Sequence, residues 1–180
     1  MGIYSFTERL EELAEMTTNK AAARRSLMRL RAGGRTALFD AISQLALAME
    51  KLHGKKVIVV MTDGGDNASI LNARSATQRA RKAGVPIFAV AEGEALRDNS
   101  ASGLLHDLSE ATGGHMYKAK HAKDIESVFA AIASELDNAY LLAFQPPLEE
   151  KTAAWHRLEI VVKNTPKPLK VRARTGYALE

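Results

Sequence analysis

The sequence predicts an α/β fold, in which a doubly wound, Rossmann-like and mostly parallel sheet is flanked by helices and followed by a C-terminal antiparallel β extension. Two continuous apolar runs, residues 57–61 (VIVVM) and 86–91 (PIFAVA), predict buried strands. Each run is followed by an acidic loop that contains glycine, and then by a segment with the apolar spacing of a helix. Because strands and helices alternate, we expect βαβ units and a parallel sheet with helices on both faces.

The remaining elements follow from apolar spacing and from capping residues. Asn19 is placed to cap one helix, and Thr36 lies where the next helix begins. In chain order we predict a strand at 3–6, a helix or a short strand at 7–16, helices at 19–34 and 36–54, a strand at 57–61, a helix at 69–82, a strand at 86–91, a helix at 104–113, a strand at 115–119 and a helix at 122–136.

The pattern changes after Asn138. Apolar residues alternate with small ones in 140–144, and residues 156–163 and 169–177 also have the character of strands. Three strands with short connections predict an antiparallel meander. We therefore assign residues 1–138 to the α/β domain and 139–180 to a β meander that packs on it as part of the same module.

Composition excludes several classes of function. The 180 residues contain no cysteine, which excludes a disulfide framework, a thiolate metal site and a cysteine nucleophile. The net charge of +4 is mostly dispersed, and the few aromatic residues are not interleaved with basic clusters, so we expect no nucleic-acid binding. No apolar run is long enough for a membrane span, and these residues show no signal peptide. No serine lies in a nucleophile elbow, so we expect no enzyme.

One pair of residues has the chemistry of a metal site. In an open parallel sheet, ligands bind at the carboxyl ends of the strands. Asp63 follows the 57–61 strand, and Thr36 follows Gly33 and Gly34. Carboxylate and hydroxyl oxygens suit Mg²⁺ or Ca²⁺. On the residues alone a simpler interpretation competes, because Asp-Gly loops are common turns and a threonine after two glycines often caps a helix.

Two motifs carry a family resemblance. A resemblance to the von Willebrand factor A (VWA) family lies in GGRTALFDAI (33–42) and KKVIVVMTDGGDN (55–67). The family's following helix and strand units resemble RKAGVPIFAVAEG (81–93) and LLHDLSEATGGHMYKA (104–119). The resemblance implies an adhesion-type protein-binding module with a metal-ion-dependent adhesion site (MIDAS). That site would take Mg²⁺, or Mn²⁺ or Ca²⁺, and an acidic residue of a protein partner would complete the coordination.

The resemblance assigns roles to particular residues. Thr36 and Asp63 match two family ligands, and four residues stand close to them in sequence: Asp40, Gly64, Asp66 and Asn67. For Asp40 a role at the helix start competes with a role at the site, and for Asp66 and Asn67 the competing role is turn stabilisation. The tail segments AYLLAFQPP (139–147) and KVRARTGYAL (170–179) are similar to VWA-related proteins of Acidobacteria. The family resemblance favours a secreted or cell-envelope protein.

The chain also departs from the family pattern. We identify no DxSxS motif anywhere in the sequence, although this motif supplies three ligands after the family's first strand, and IYSF resembles the second strand. The resemblance therefore implies an incomplete site. The chain could be shortened, a second copy or a partner strand could fill the gap, or the module could have diverged to bind without metal. A metal-independent scaffold or assembly domain is the first alternative function, and a metal-dependent hydrolase is the second.

Overall fold

A computed structural model of the chain describes residues 1–31, 33–63, 65–140, 142–145, 155–164, 166, 169 and 171–178. The described strands are β1 (Ile3–Phe6), β2 (Leu10–Ala14), β3 (Ile58–Thr62), β4 (Ile87–Ala91), β5 (Met116–Lys118), β6 (Trp155–Arg157) and β7 (Gly176–Ala178). The α-helices are α1 (Lys20–Leu27), α2 (Leu38–Glu50), α3 (Ala73–Lys82), α4 (Asn99–Thr112) and α5 (Ala122–Asp137), and a short 3-10 helix spans Gly93–Leu96.

The central sheet confirms the predicted α/β class. Strands β3, β4 and β5 form a parallel sheet in that order, with Ile58 opposite Ile87 and Ala89 opposite Met116. All five residues of β4 are buried, as its continuous apolar sequence predicts for a strand covered on both faces. The carboxyl ends of β3 and β4 therefore lie side by side.

Two apolar clusters cover the two faces of this sheet. One cluster joins alternate strand residues such as Ile58, Ile87 and Ala89 to α2, α3 and α4, and includes Ile42 and Leu105. The other joins residues of β4 to α5, including Phe88, Val90, Val128 and Ile132. Helices on both faces of a parallel sheet are what the alternation of strands and helices predicts.

Strand β3 departs from the prediction that it is buried on both faces. Ile58 and Val60 are buried, whereas Val59 between them is 37% exposed. One edge of β3 pairs with β4, and the other edge has no strand partner among the described residues. Because α5 packs mainly on β4, its face of β3 is only partly covered.

The ambiguous segment 7–16 contains a strand. β2 pairs with β1 in an antiparallel hairpin, which is a separate two-stranded sheet. The Asn19 side chain accepts a hydrogen bond from the Ala22 backbone N–H at 3.0 Å, so the predicted cap of α1 is confirmed. The backbone N–H of Ala37 donates to the Thr7 carbonyl at 2.8 Å, which ties the hairpin to the start of α2.

The C-terminal region is less regular than the predicted three-stranded meander. Its described residues form one antiparallel pair, β6 and β7, with His156 opposite Tyr177. Residues 142–145 and 158–163 are not strands. The adjacent side chains of Val161 and Val162 are both exposed, so the alternation of a half-buried strand is lost there. Residues 141, 146–154, 165, 167–168, 170 and 179–180 of the predicted meander lie outside the described residues.

No helix in the described ranges has the length and apolar character needed to cross a membrane.

Candidate functional site

Three loops meet at the carboxyl ends of β3 and β4. The backbone N–H of Glu92 donates to the Thr62 carbonyl at 3.0 Å, and that of Ala95 donates to the Asp63 carbonyl at 2.8 Å. On the other side, the N–H groups of Asn67 and Ala68 donate to the Thr36 carbonyl at 2.9 and 3.1 Å. We call this surface, formed by residues 34–40, 63, 65–71 and 92–100, the loop edge.

Asp66 holds the loop after β3 against α2. Its carboxylate accepts hydrogen bonds from the backbone N–H of Phe39 at 2.9 Å and of Ser69 at 3.0 Å, and from the Ser69 hydroxyl at 2.5 Å. The N-cap residue of α2, Ala37, has no side chain that could satisfy the first turn. Asp66 therefore caps this helix from a distant loop, and the negative charge also suits the positive end of the helix dipole.

Asp40 and Asn67 make similar links. Asp40 accepts from the backbone N–H groups of Ile70 and Leu71, both at 2.9 Å. The Asn67 side-chain oxygen accepts from the Thr36 N–H at 2.8 Å, and Arg35 donates to the Asn67 carbonyl. These predicted neighbours of the metal ligands thus use their polar atoms to bind the loop to α2.

Thr36 and Asp63 are placed differently. Thr36 is half-buried and uses its backbone groups in the links above, while its hydroxyl has no hydrogen-bond partner among the described residues. Asp63 is exposed, and its carboxylate has no partner in the same part of the chain. Gly93, at a φ of 54°, lies against Asp63, and a Cβ there would be 3.1 Å from the Asp63 Cβ. Gly64 lies outside the described residues.

A small cleft of about 120 Å³ lies beside this loop, between the starts of α2 and α4. Asp66, Asp98 and Ser100 line it together with Gly65 and apolar side chains. Asp98 caps α4, because its Oδ1 accepts from the backbone N–H groups of Ser100 at 2.8 Å and Ala101 at 3.3 Å. The cleft therefore presents carboxylate and hydroxyl groups at the loop edge.

Sequence reasoning missed this contribution from α4. Asp98, Ser100 and Ser102 form a literal Asp-x-Ser-x-Ser pattern. The prediction that the sequence contains no DxSxS motif is therefore wrong, although this pattern does not follow a first strand as in the family. Here it opens a helix, with Asp98 as the cap.

A family model for the von Willebrand factor type A domain matches residues 1–131. The chain belongs to this family. Domains of the family are generally protein-interaction modules, and the resemblance carried by the Thr36 and Asp63 motifs is confirmed at the level of the family. The similarity to proteins of Acidobacteria stays a prediction.

The chain is similar to solved structures, and a TM-score of 0.60 to one of them supports the same fold. The VWA chain is similar to the conserved hypothetical protein BatB from Bacteroides thetaiotaomicron, with a TM-score of 0.60 and 14% identity over 77% of this chain and 79% of that chain. It also matches an uncharacterized membrane spanning protein from Vibrio fischeri, with a TM-score of 0.41 and 19% identity over 74% of each chain. No curated protein matches the chain.

The donor groups of this VWA domain do not by themselves make a complete metal site. Within the described ranges, no three His, Cys, Asp or Glu side chains are grouped so that they could hold a metal ion. Of the six predicted site residues, only Thr36 and Asp63 keep side-chain oxygens without a hydrogen-bond partner in the described part of the chain. An octahedral ion such as Mg²⁺ would then take most of its ligands from water.

Proposed function

We propose that this VWA domain is a protein-binding module whose contact surface is the loop edge. The Asp63 carboxylate carries the proposal, since it is exposed and has no partner among the described residues. The neighbouring Asp66, Asp40 and Asn67 fix the loop to α2 through side-chain hydrogen bonds. An acidic group on a fixed loop loses little conformational freedom when it binds a partner.

Protein capture tests this function. Wild type, a Thr36→Val/Asp63→Asn double variant and a control are immobilised, and cross-linked partners are quantified by mass spectrometry. Asp137→Asn is a suitable control, because Asp137 is an exposed carboxylate at the end of α5. We expect a partner that wild type and Asp137→Asn retain and the double variant loses, with all three equally stable in urea. Identical capture by the three proteins contradicts binding through the loop edge.

We also propose that Thr36 and Asp63 are the remnant of a MIDAS. Their hydroxyl and carboxylate oxygens suit Mg²⁺ or Mn²⁺, but two side chains replace too little of the hydration shell of Mg²⁺ for tight binding. We expect calorimetric titration to give dissociation constants weaker than about 1 mM, a low affinity for a site rich in water ligands. Tight binding that Asp63→Asn abolishes would contradict an incomplete site.

A chelator distinguishes metal-independent binding from binding that uses the MIDAS remnant. If the loop edge binds its partner without metal, capture by wild type is the same with EDTA and with added Mg²⁺. If the remnant site contributes, capture increases with Mg²⁺ in wild type and stays constant in Asp63→Asn. Both outcomes are compatible with a protein-binding module, and together they decide the role of the cation.

A second candidate function is assembly by strand addition. The observation that favours it is the edge of β3 that has no strand partner among the described residues, in a strand where Val59 is 37% exposed. An edge of this kind can pair with an added strand through backbone hydrogen bonds. The proposed occupant is a second copy of this chain, in a strand-complementing homodimer.

Light scattering after size exclusion tests this assembly. We expect wild type to form dimers as its concentration rises, and Val59→Lys to stay monomeric because a charged side chain on an edge strand opposes pairing. Val162→Lys is a matched control, since Val162 is an exposed valine outside the described strands. A monomeric wild type at all concentrations, or equal dimerisation of the three proteins, contradicts strand addition.

A further inference from the structure

Helix α1 exposes a basic face with an apolar residue between two arginines. Its buried residues are Ala23 and Ser26. At about 100° per residue, Arg24, Arg25 and the C-cap residue Met28 lie on the opposite side of the helix. Met28 is 81% exposed, and both arginines are exposed as well. We call the surface formed by Arg24, Arg25 and Met28 the α1 basic face, and the exposed Leu27 and Leu30 lie close to it in sequence at the end of the helix.

In the sequence from residue 16 to residue 39 the charge is of one sign, whereas the neighbouring strand β2 carries Glu11 and Glu12. Residues 16–39 contain six basic residues and no acidic one, although the whole chain has a net charge of only +4. Three of these arginines bind backbone carbonyls: Arg29 donates to Leu13, Arg31 to Leu30, and Arg35 to Asn67. Lys20, Arg24 and Arg25 have no ion pair or side-chain hydrogen bond within the described ranges. Their charges are therefore available to an anionic surface.

Exposed apolar side chains accompany the charges. Leu27 and Leu30 are 45% and 47% exposed, beside the more exposed Met28. In a basic amphipathic segment, such side chains enter the boundary between lipid headgroups and acyl chains, while arginines extend their charges to the headgroups. Residues 20–31 contain no aromatic side chain, which a single-stranded nucleic acid would use for base stacking.

We propose that the α1 basic face docks the protein on membranes that contain anionic lipids. The arginines would bind the acidic headgroups, and Met28, Leu27 and Leu30 would enter the interface. This function is separate from the loop edge, because none of these residues belongs to it. With one short segment, binding is weak and reversible, and it depends on both charge and apolar contact.

Vesicle cosedimentation of the whole chain tests the proposal. The vesicles contain phosphatidylcholine alone, or phosphatidylcholine with phosphatidylglycerol. The charge variant is Arg24→Gln/Arg25→Gln, and the matched control is Arg74→Gln/Arg79→Gln, which removes two exposed arginines from α3. We expect wild type and the control to bind anionic vesicles and not neutral ones. The charge variant should bind about 25-fold more weakly, since each basic residue near an anionic membrane contributes about 5-fold.

Met28→Ser tests the apolar contact separately. We expect it to bind anionic vesicles a few-fold more weakly than wild type at every salt concentration, because loss of apolar contact is not screened by ions. Full binding by Met28→Ser together with loss in the charge variant would overturn the apolar insertion, because the face would then recognise negative charge alone. Equal loss in the α3 control, or equal binding of all variants, would overturn membrane docking through this face.

Discussion

Asp63 and Asp66 are three positions apart in one loop, yet their surroundings give them different roles. Asp66 accepts two backbone hydrogen bonds and one hydroxyl hydrogen bond, and so holds the loop against the first turn of α2. Asp63 is exposed and has no side-chain partner in the described part of the chain. At the scale of single residues, the loop thus contains one carboxylate that maintains the structure, Asp66, and one that is available to a ligand, Asp63.

This division can be measured as stability. Asp66→Ala removes a helix cap and leaves buried or half-buried donors without a partner, so we expect the free energy of unfolding in urea to fall by about 1–3 kcal/mol. Asp63→Asn keeps the size of a side chain that has no partner, and should change stability by less than about 0.5 kcal/mol. Equal losses in the two variants would show that Asp63 is also a structural residue.

The hydroxyl of Tyr117 makes stability depend on alkaline pH. Burial raises the pKa of Tyr117 above its ordinary value of 10.0, and the hydrogen bond to Glu135 and that residue's charge add to the increase, while Arg172 opposes it. Because the folded pKa is the higher one, the stabilisation is complete below pH 10 and is lost as pH rises through the folded pKa.

Unfolding in urea between pH 9 and 11 measures this loss. We expect wild type to lose more stability than Tyr117→Phe over this range, since phenylalanine does not ionise. Tyr4, whose pKa is also raised by burial and by Glu12, contributes equally to both proteins. Parallel curves for wild type and Tyr117→Phe would contradict the assignment.

At the scale of helices and strands, the local sequence pattern predicts an element well when all of its residues have the same surroundings. All of β4 is apolar and buried, and its sequence predicts it well. The β2 sequence, LEELA, mixes glutamates with leucines, so it is compatible with both a helix and a strand. The pairing with β1 makes it a strand. Helix α3 begins at Ala73 rather than at Ser69, because Asp66 and Asp40 bind the backbone of residues 69–71. The spacing of apolar residues along the sequence does not predict such long-range contacts.

The candidate site was predictable to a similar degree. Asp63 was predicted because it follows a strand of a parallel sheet, and Thr36 because its motif resembles that of the family. The sequence also named Asp40, Asp66 and Asn67, but their hydrogen bonds across about thirty residues could only come from the folded chain. Asp98 and Ser100 were missed because their place at the cleft depends on how α4 packs beside α2.

The end of α4 offers a test at this scale. Gly113 has a left-handed φ of +87°, and a Cβ there would be 2.6 Å from the backbone N of Arg174. Gly84, at the end of α3, has a φ of +64° but no atom within 4 Å of such a Cβ. Alanine at Gly84 should cost about 1–2 kcal/mol of unfolding free energy from backbone strain alone. Alanine at Gly113 should cost about 1–3 kcal/mol more, because it also displaces the tail.

Thermal and urea denaturation of both variants give this difference. Asp98→Asn is a useful reference variant for these stability measurements, since asparagine keeps a capping acceptor at the N-terminal end of α4. Equal losses for the Gly84 and Gly113 variants would mean that residues 173–174 do not pack on the end of α4 in solution.

At the scale of the whole molecule, the described part of the tail contacts the α/β part at several separate places. Trp155 of β6 lies over the guanidinium of Arg81 in α3, with 3.3 Å from the Arg81 Cζ to the ring centroid. Arg172 pairs with Glu135 of α5, and the backbone at Arg174 lies against Gly113 after α4. These contacts involve surface residues, whereas β4 is buried between two layers of helices. The tail should therefore open at a lower free energy than the sheet.

Hydrogen exchange detects this difference in one experiment. In wild type we expect amides of β4 to exchange only through global unfolding, and amides of β6 and β7 to exchange faster through local opening. Trp155→Ala removes the cation–π contact with Arg81, and should speed exchange in β6 and β7 by about 5- to 30-fold, corresponding to about 1–2 kcal/mol. Exchange in β4 should change much less. Trp155→Phe keeps an aromatic ring over Arg81 and should lie between the two proteins. If β4 and β7 instead accelerate by the same factor in Trp155→Ala, the tail and the sheet unfold as one cooperative unit, and the tail is as integral to the domain as its central strand.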